Sequence, residues 1–413
     1  MKILLSAYQC APGQGSVSQI GWEWYSRLAA RAEVTLVTHI RNREVLEAAG
    51  APLPGSEVVY IDTEWFAGPL YRNAQKVFPK SEHSVFLVSS LDYFVFDRQT
   101  LKQFKPRAAE FDVVHVVTPV SPSAFTVLTQ LGLPLVRGPL NGGLVTPPNF
   151  DEFMRADSAW FYPLREAGRP FRRLLGGGTP DVILTANAAT ESQLSPREKA
   201  RSVRMCEIAV EPSQYRATPW PADPGPANPV RILFVGRLVP AKALPLLFEA
   251  MRRTPGAELT VVGDGPMRAA WQEAARPLGG RVRFVGAQPA EVVSNEMSRC
   301  HVLCLPSVRE SGGAVLLEAM SAARPVIAVN YGGPTELVDH TVGCLVSAAN
   351  PEAVISGLAT ALQSVQADPA GWRDRGNNGR RHVLRLHAWN QRIEQGMSIY
   401  AGLVQPLALT EAA

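Results

Sequence analysis

Short apolar runs alternate with amphipathic helical patterns along the chain of 413 residues. In the first half, Ile20, Trp24 and Leu28 recur every four residues, which predicts a helix after the first apolar run. The apolar runs themselves predict buried strands of a parallel sheet. In this half they are Ile3–Ala7, Val34–Thr38, Val58–Ile61, Val113–Val117, Pro134–Arg137 and Val182–Ala186.

The second half repeats this pattern, with a loop that contains glycine after most of its strands. Its predicted strands are Arg231–Val235, Leu259–Val262, Val282–Val285, His301–Pro306 and Val326–Val329. Strands that alternate with helices predict an α/β fold with two doubly wound, Rossmann-like domains. We expect the two domains to face each other across a cleft, with ligands at the loops that follow the strands.

Proline content and helical periodicity suggest where the domains divide. The predicted divisions are an N-terminal domain at 1–211, a proline-rich linker at 212–229, a C-terminal domain at 230–388 and a last helical segment at 389–413. In the last segment Ile393, Met397 and Tyr400 share one helical face, so we expect it to pack back on the N-terminal domain.

Composition and charge narrow the function classes. The net charge of +4 is spread over both halves, which argues against a nucleic-acid partner. The five cysteines have no zinc-like spacing, so we expect no metal site among them. The N-terminus lacks a signal-peptide core and no apolar run is long enough to span a membrane. These features predict a cytoplasmic protein.

The segment from Arg309 to Met320 (RESGGAVLLEAM) carries the most informative chemistry. Glu310 is predicted in a loop and Glu318 about one turn inside a helix that starts near Ala314. The residues between them that offer free N–H groups to an anion are Gly312, Gly313, Ala314 and Val315. A carboxylate, an anion cradle and a second carboxylate fit the sugar, diphosphate and ribose of a nucleotide-sugar. Glutamates at this spacing are otherwise common on solvated surfaces.

Ordered motifs of the second half resemble the nucleotide-binding domain of retaining glycosyltransferases of family 4, which have the GT-B fold. The matching motifs are GRLVPAK (Gly236–Lys242), VVGDGPM (Val261–Met267), RFVGAQP (Arg283–Pro289), PSVRESGGAVLLEAM (Pro306–Met320) and PVIAVNYGGPTELV (Pro325–Val338). The first half resembles one branch of the same family through SAYQCAPGQGSVSQIGWEW, VVHVVTPVSP and GPLNGG.

The resemblance implies a role for each matching residue. Arg237 and Lys242 correspond to the basic pair that contacts the donor diphosphate, and Glu318 to the residue that accepts hydrogen bonds from ribose hydroxyls. Glu310 corresponds to a residue near the donor sugar. Gly236 and Gly265 belong to loops on the nucleotide side, although Gly-Asp-Gly-Pro after a strand is also a common turn. The chain has no Asp-x-Asp motif, so we expect neither a metal nor another cofactor.

The match to the family has three departures, and it leaves the roles of some candidate residues open. Gly15 lies in a glycine loop that we expect to approach the donor diphosphate, but Val17 stands where many relatives carry glutamate. His115 lacks the second histidine of the family's His-x-His pattern, so it is either a core residue or a sugar contact. Asn141 is a further candidate contact for sugar or acceptor. Ala243 replaces the usual glycine, which is tolerable if its backbone angles are ordinary.

Two segments combine aromatic and basic residues. Trp65–Arg107 and Ala159–Leu175 interleave aromatic side chains with arginines and lysines. Such segments suit a lipid-linked acceptor or a peripheral contact with the inner face of the membrane. The alternative is that the aromatic residues form core and the basic residues a solvated rim.

Together these features predict a retaining hexosyltransferase that moves a sugar from a nucleoside diphosphate to an acceptor hydroxyl. The acceptor is a glycan, a glycolipid or a small-molecule glycoside, and a metal-independent front-side mechanism is expected. One alternative is a disaccharide synthase or phosphorylase of the same fold. Another is a non-catalytic subunit that binds nucleotide-sugars and regulates a partner. A dinucleotide dehydrogenase does not fit, because neither half has G-x-G-x-x-G after its first strand.

Overall fold

The computed structural model describes residues 1–77, 82–151, 176–225 and 227–404. These residues form two compact units. The N-terminal unit comprises the described residues up to Gly143, residues 176–207 and those from Ile393 onward. The C-terminal unit comprises residues 144–151 and Ile208–Arg392. Each unit is thus assembled from separate stretches of the chain.

In its described part, the N-terminal unit contains a seven-stranded parallel sheet in the order β3-β2-β1-β4-β5-β6-β7. The strands are β1 (Lys2–Ala7), β2 (Glu33–His39), β3 (Ser56–Ile61), β4 (Val113–Thr118), β5 (Leu135–Leu140), β6 (Val182–Thr185) and β7 (Ser202–Arg204). The helices that precede the C-terminal unit are α1 (Gly15–Ala29), α2 (Arg43–Ala48), α3 (Glu64–Val77), α4 (Glu82–Phe104), α5 (Ala188–Ser192) and α6 (Pro196–Lys199). Strands β1 and β4 are almost wholly buried, which explains their continuous apolar sequence.

The C-terminal unit contains a six-stranded parallel sheet, within the described residues, in the order β10-β9-β8-β11-β12-β13. The strands are β8 (Val230–Val235), β9 (Ala257–Val262), β10 (Val282–Gly286), β11 (Val302–Leu305), β12 (Val326–Val329) and β13 (Gly343–Val346). The helices are α7 (Leu244–Arg252), α8 (Arg268–Ala275), α9 (Ala290–Arg299), α10 (Ala314–Ser321), α11 (Pro334–Leu337), α12 (Pro351–Ala367) and α13 (Pro369–Leu386).

The order of strands reverses once in each sheet, between β1 and β4 in the first and between β8 and β11 in the second. Loops on the two sides of such a reversal leave in opposite directions and open a crevice at the carboxyl ends of the strands. The α/β prediction of two doubly wound sheets is therefore confirmed. Strands β7 and β13 were not predicted; both are short strands at the edge of their sheets.

The described residues of the proline-rich segment, 212–225 and 227–229, pack as part of the C-terminal unit. Tyr215 is buried, and the guanidinium of Arg324 donates to Thr218 Oγ1 at 2.6 Å and to the Pro219 carbonyl at 3.0 Å. Because Arg324 is itself buried, it needs these acceptors. The segment predicted as a linker thus supplies polar partners to the domain that follows it.

The last helix, α14 (Trp389–Val404), contributes to the core of the N-terminal unit from Ile393 onward. Ile393 and Tyr400 are fully buried, and Gly396 lies so close to the Trp24 ring that a Cβ there would approach it to 2.7 Å. The Tyr400 hydroxyl lies 2.5 Å from Nδ1 of His115 in β4. These contacts fix the helix against α1 and β4.

The two segments rich in aromatic and basic residues can be described only in part. Tyr93, Phe96 and Phe104 are buried in the core, whereas Trp65 is 66% exposed. Residues 159–175 lie outside the described residues. Among the helices that the structure describes, none has the length and apolar character needed to cross a bilayer.

The buried contact between Tyr400 and His115 gives a stability prediction. Tyr400→Phe leaves Nδ1 of His115 without a donor in the core, and we expect a loss of about 1–3 kcal/mol in unfolding free energy. Chemical denaturation followed by circular dichroism measures it. The control is Ser398→Ala at an exposed position of the same helix. Equal stability of the two variants would contradict the prediction.

Candidate active site

An ion pair joins the loops that follow the two strands at the switch point of the C-terminal sheet. Lys242 ends a 3-10 turn, Pro240–Lys242, after β8, and its Nζ contacts Oε2 of Glu310 in the loop after β11. The Val308 N–H donates to the Ala241 carbonyl at 3.0 Å, which holds the two loops together. Both charged side chains are mostly buried, with exposed fractions of 19% and 13%. The topology of the sheet thus places a cation and a carboxylate where such folds bind ligands.

A third loop, after β12, packs against the Glu310 loop through backbone groups. The Gly333 N–H donates to the Glu310 carbonyl at 2.8 Å. Gly332 has a φ of +70°, and a Cβ there would collide with the same carbonyl. Both glycines of the Gly332–Gly333 pair are therefore required for this close approach.

Helix α10 begins immediately after the Glu310 loop. Gly313 caps it with a φ of 93° and no side-chain hydrogen bond, and its first turn has no acidic residue. Gly312 and Gly313 are buried, whereas Ala314 and Val315 are half-buried. This helix start has no side-chain cap for its N–H groups, which is the arrangement expected of an anion cradle.

The glycine loop after β9 packs on the loop that contains Arg237. The Leu238 N–H donates to the Asp264 carbonyl at 2.8 Å, and a Cβ at Gly263 would collide with the Gly236 carbonyl. Gly265 has a φ of +155°, and a Cβ there would lie 2.5 Å from the Leu238 carbonyl. The loop is therefore a close backbone contact rather than only a turn. Arg237 is exposed beside it.

Glu318 lies half-buried in α10 and is paired with a residue that the sequence analysis did not single out. Burial raises its pKa from 4.5 to about 7, while a hydrogen bond from the Tyr215 hydroxyl lowers it. Tyr215 is fixed in turn by the Ser321 hydroxyl, which donates to its carbonyl at 3.1 Å. The pKa of Tyr215 is raised, mainly by burial. The sequence signal for this residue is weak: it is one of two aromatic positions, with Trp220, in the proline-rich segment.

Residues 144–149 were also missed, because the sequence analysis assigned them to the N-terminal domain. The Tyr331 hydroxyl donates to the Val145 carbonyl at 2.7 Å, and Arg309 Nη1 lies 3.4 Å from Thr146 Oγ1. Asn149 donates to the Ala349 carbonyl at 3.1 Å. This stretch therefore supports the loops on either side of Glu310.

His115 is a core histidine. It is fully buried, donates through Nε2 to the Gly138 carbonyl at 2.7 Å and stacks edge-on against Trp24. Burial lowers the pKa of His115 to about 4, so the ring is neutral. Its Nδ1 accepts a hydrogen bond from the Tyr400 hydroxyl. Of the two interpretations left open by the sequence, the sugar contact does not fit, because both ring nitrogens are already engaged.

The other two candidates of the N-terminal unit are Gly15, at the start of α1, and Asn141, directly after β5. Gly15 is exposed at the start of α1 with a φ of +66°. Asn141 follows β5, where its amide donates to Glu207 and accepts from Asn187 at 3.2 Å. Gly15 is thus the exposed first residue of α1, whereas the Asn141 side chain already takes part in a polar network.

The expectation for Ala243 needs a correction. Its φ of 44° and ψ of 38° lie in the left-handed region, so its backbone angles are not ordinary. The residue joins the 3-10 turn that ends at Lys242 to α7, and this junction requires the left-handed conformation. An alanine there costs about 1–2 kcal/mol of strain that a glycine would avoid.

Part of the C-terminal unit matches a known protein family. Residues 217–379 match the model of the family described as Glycosyl transferases group 1. An uncharacterized glycosyltransferase of Methanocaldococcus jannaschii is 31% identical over 176 residues, or 41% of this chain and 44% of that protein. An alpha-maltose-1-phosphate synthase of Mycolicibacterium smegmatis is 32% identical over 44% of this chain and 53% of that protein. The chain thus spans about half the length of these curated relatives.

Solved structures resemble the chain over nearly its whole length. HepE from Anabaena in complex with UDP aligns with a TM-score of 0.65 at 17% identity, covering 98% of this chain and all of HepE. The sucrose-phosphate synthase of Thermosynechococcus elongatus aligns with the same TM-score at 20% identity, covering 97% of this chain and 98% of that one. The chain has the GT-B fold. Its C-terminal unit holds the region that matches the group 1 glycosyl transferases.

The left-handed conformation at Ala243 predicts an unusual response to glycine. Ala243→Gly relieves strain but loses a buried methyl group worth about 0.8 kcal/mol, so we expect unchanged or slightly higher stability. Ala250→Gly is the matched control, because Ala250 is equally buried but helical, and it should cost about 2 kcal/mol. Thermal unfolding of both variants measures the difference. An equal loss in both would show that Ala243 is unstrained.

The raised pKa of Glu318 predicts a pH-dependent stability. The folded state holds the Glu318 proton more tightly than the unfolded state, so stability falls as the pH rises from about 4.5 to about 7. Glu318→Gln cannot ionise. The amount by which its Tm exceeds the wild-type Tm should therefore increase as the pH rises through this window, by the equivalent of about 2 kcal/mol of unfolding free energy. Tyr215→Phe removes the hydrogen bond that lowers this pKa and should move the upper limit of the window to higher pH.

The matched control for this series is Glu249→Gln, at an exposed glutamate of α7. Its Tm should follow the wild-type Tm at every pH. A constant offset between Glu318→Gln and wild type across the window would contradict the assignment of the titration to Glu318.

Proposed function

We propose that this protein transfers a hexosyl group from a nucleoside-diphosphate sugar to an acceptor hydroxyl, with retention of anomeric configuration. The observation that carries the proposal is the pairing of Lys242 with Glu310 at the switch point, beside the uncapped start of α10. The match to group 1 glycosyl transferases and the GT-B fold support it. HepE has also been crystallised with UDP-glucose, a donor of the proposed class.

The proposed donor site uses charges of both signs. Lys242 and the exposed Arg237 bind the diphosphate, with the N–H groups of residues 312–315 as further donors. Glu318 accepts hydrogen bonds from ribose hydroxyls, and these bonds favour its ionised form. Glu310 lies toward the donor sugar. In the free protein Glu310 neutralises Lys242, and we propose that the donor diphosphate takes over that partner when it binds.

We propose a front-side displacement. The bond from the anomeric carbon to the phosphate oxygen breaks while the acceptor oxygen attacks the same face. The acceptor proton passes to the leaving phosphate, which leaves as the nucleoside diphosphate. Lys242 and Arg237 stabilise the charge that develops on that phosphate, an electrostatic role typically worth about 3–4 kcal/mol for one key donor. No metal is needed in this scheme, because the cations of the protein take its place.

The first test is donor binding in the presence of a chelator. Thermal shifts with UDP-, GDP-, ADP- and dTDP-sugars should show selective stabilisation, because a ligand at about a hundred times its Kd adds about 2.7 kcal/mol. The shift should persist with EDTA. The absence of any shift in folded protein would overturn the donor assignment. Binding without even slow hydrolysis of the donor would favour a non-catalytic subunit.

The second test separates the role of Lys242 in turnover from its role in folding. Lys242→Met should lower kcat by about 100- to 1,000-fold, since it removes a donor to the leaving phosphate. It also leaves Glu310 without its partner, so the double variant Lys242→Met/Glu310→Gln serves as the matched control. The double variant should recover stability but not activity. Near-normal turnover of either variant would contradict the proposed mechanism.

A further inference from the structure

A cavity of about 470 Å³ lies at the amino ends of β8, β9 and β10, far from the loops just described. Arg231, Glu258 and Arg283 each occupy the second position of their strand and line the cavity. Strand β8 separates Arg231 from Gly236 by about 16 Å of extended chain. The donor loops leave from the opposite edge of the same sheet, so this cavity is not part of the proposed donor site.

The guanidinium of Arg231 has no hydrogen bond and no ion pair within the described residues. Its Nε is shielded from solvent and has no hydrogen-bond partner in the part of the chain that the structure describes. Buried donors are ordinarily satisfied. The buried Arg324 of the same unit illustrates the usual case, because its guanidinium reaches the Met297, Pro219 and Ser298 carbonyls. The described residues of its own unit thus leave the Arg231 guanidinium without a partner.

The charges of the cavity wall leave Arg231 without compensation. Arg283 donates to Oε2 of Glu296 at 3.0 Å, and the mostly exposed Arg299 approaches the same carboxylate at 3.9 Å. Arg281 Nη1 donates hydrogen bonds to the carbonyls of Met251, in the last turn of α7, and of Thr254 and Pro255, which follow it. Glu258 is the register partner of Arg231 across the strands, yet the described residues show no ion pair between the two. Four arginines against two glutamates give the wall a net positive charge.

The end of α9 does not cancel this charge. A helix C-terminus carries partial negative charge, and α9 ends at the cavity. Arg324, however, donates to the Met297 and Ser298 carbonyls and so neutralises that end. Anion binding near Arg231 is therefore not opposed by the helix.

We propose that this cavity binds a small phosphate monoester that also carries hydroxyl groups. A guanidinium binds phosphate through paired N–H groups, which fits Arg231 with Arg299 at the mouth. Glu258 and Thr260 offer oxygen acceptors to hydroxyl groups of the same ligand. The volume lies within the range typical of small-molecule sites and accommodates a phosphorylated sugar. The site is independent of the proposed transfer reaction and stands or falls separately from it.

Isothermal titration of the full chain with glucose 6-phosphate tests the proposal. We expect saturable binding of one molecule, both in the free protein and in the presence of excess UDP. Inorganic phosphate should bind more weakly and free glucose not measurably, because the phosphate group supplies the contact with Arg231. Competition by UDP, or equal binding of glucose, would overturn the proposal.

Variants identify the residues. Arg231→Gln should weaken glucose 6-phosphate binding about tenfold or more. Arg299→Gln, at an exposed position that tolerates substitution, should weaken it severalfold. The matched control is Arg252→Gln, an exposed arginine of α7 outside the cavity, which should bind like wild type. Unchanged affinity in both cavity variants would refute the site, as would the absence of saturable binding at millimolar ligand.

Discussion

The candidate active site depends on one constraint, the reversal of strand order between β8 and β11. Loops that leave adjacent parallel strands in opposite directions cannot pack over the strand ends, so a crevice remains there. Lys242 and Glu310 lie 68 positions apart in the chain, but this reversal makes them neighbours. The backbone hydrogen bond from Val308 to Ala241 holds their two loops together, so the two side chains are positioned beside each other. The helix start at Gly313 then follows as the continuation of the Glu310 loop.

Around this pair the protein relies on close backbone contacts rather than on large side chains. Gly263, Gly265 and Gly332 allow loops to approach to distances that no Cβ would permit. Such contacts hold the loops in fixed positions, which favours a preorganised site. Ala243 is the exception within this set, because it holds a left-handed conformation at the cost of strain. The position of Lys242, its neighbour in the chain, depends on that conformation.

Much of the fold could be predicted because its parallel strands are buried on both faces and read as continuous apolar runs. Each run from Ile3–Ala7 to Val326–Val329 lies on a strand of the sheets, with differences of a few residues at the ends. Edge strands β7 and β13 were not predicted, since strands of three and four residues are too short to form a comparable run. The roles of Tyr215 and of residues 144–149 could not be predicted, because contacts across long sequence separations leave no local periodicity. His115 remained ambiguous for the same reason: its partner Tyr400 lies 285 residues away.

The composition of the C-terminal unit bears on how such proteins can be recombined. The family match begins at residue 217, inside the proline-rich segment 212–229 that the sequence predicts as a linker. An exchange of halves at that junction would take Glu318 away from Tyr215, and Tyr331 and Arg309 away from Val145 and Thr146. A chimera would therefore inherit the motif residues without the side chains and carbonyls that hold them. Successful exchange between homologues requires that residues 144–151 and the segment from Ile208 travel together with the C-terminal unit.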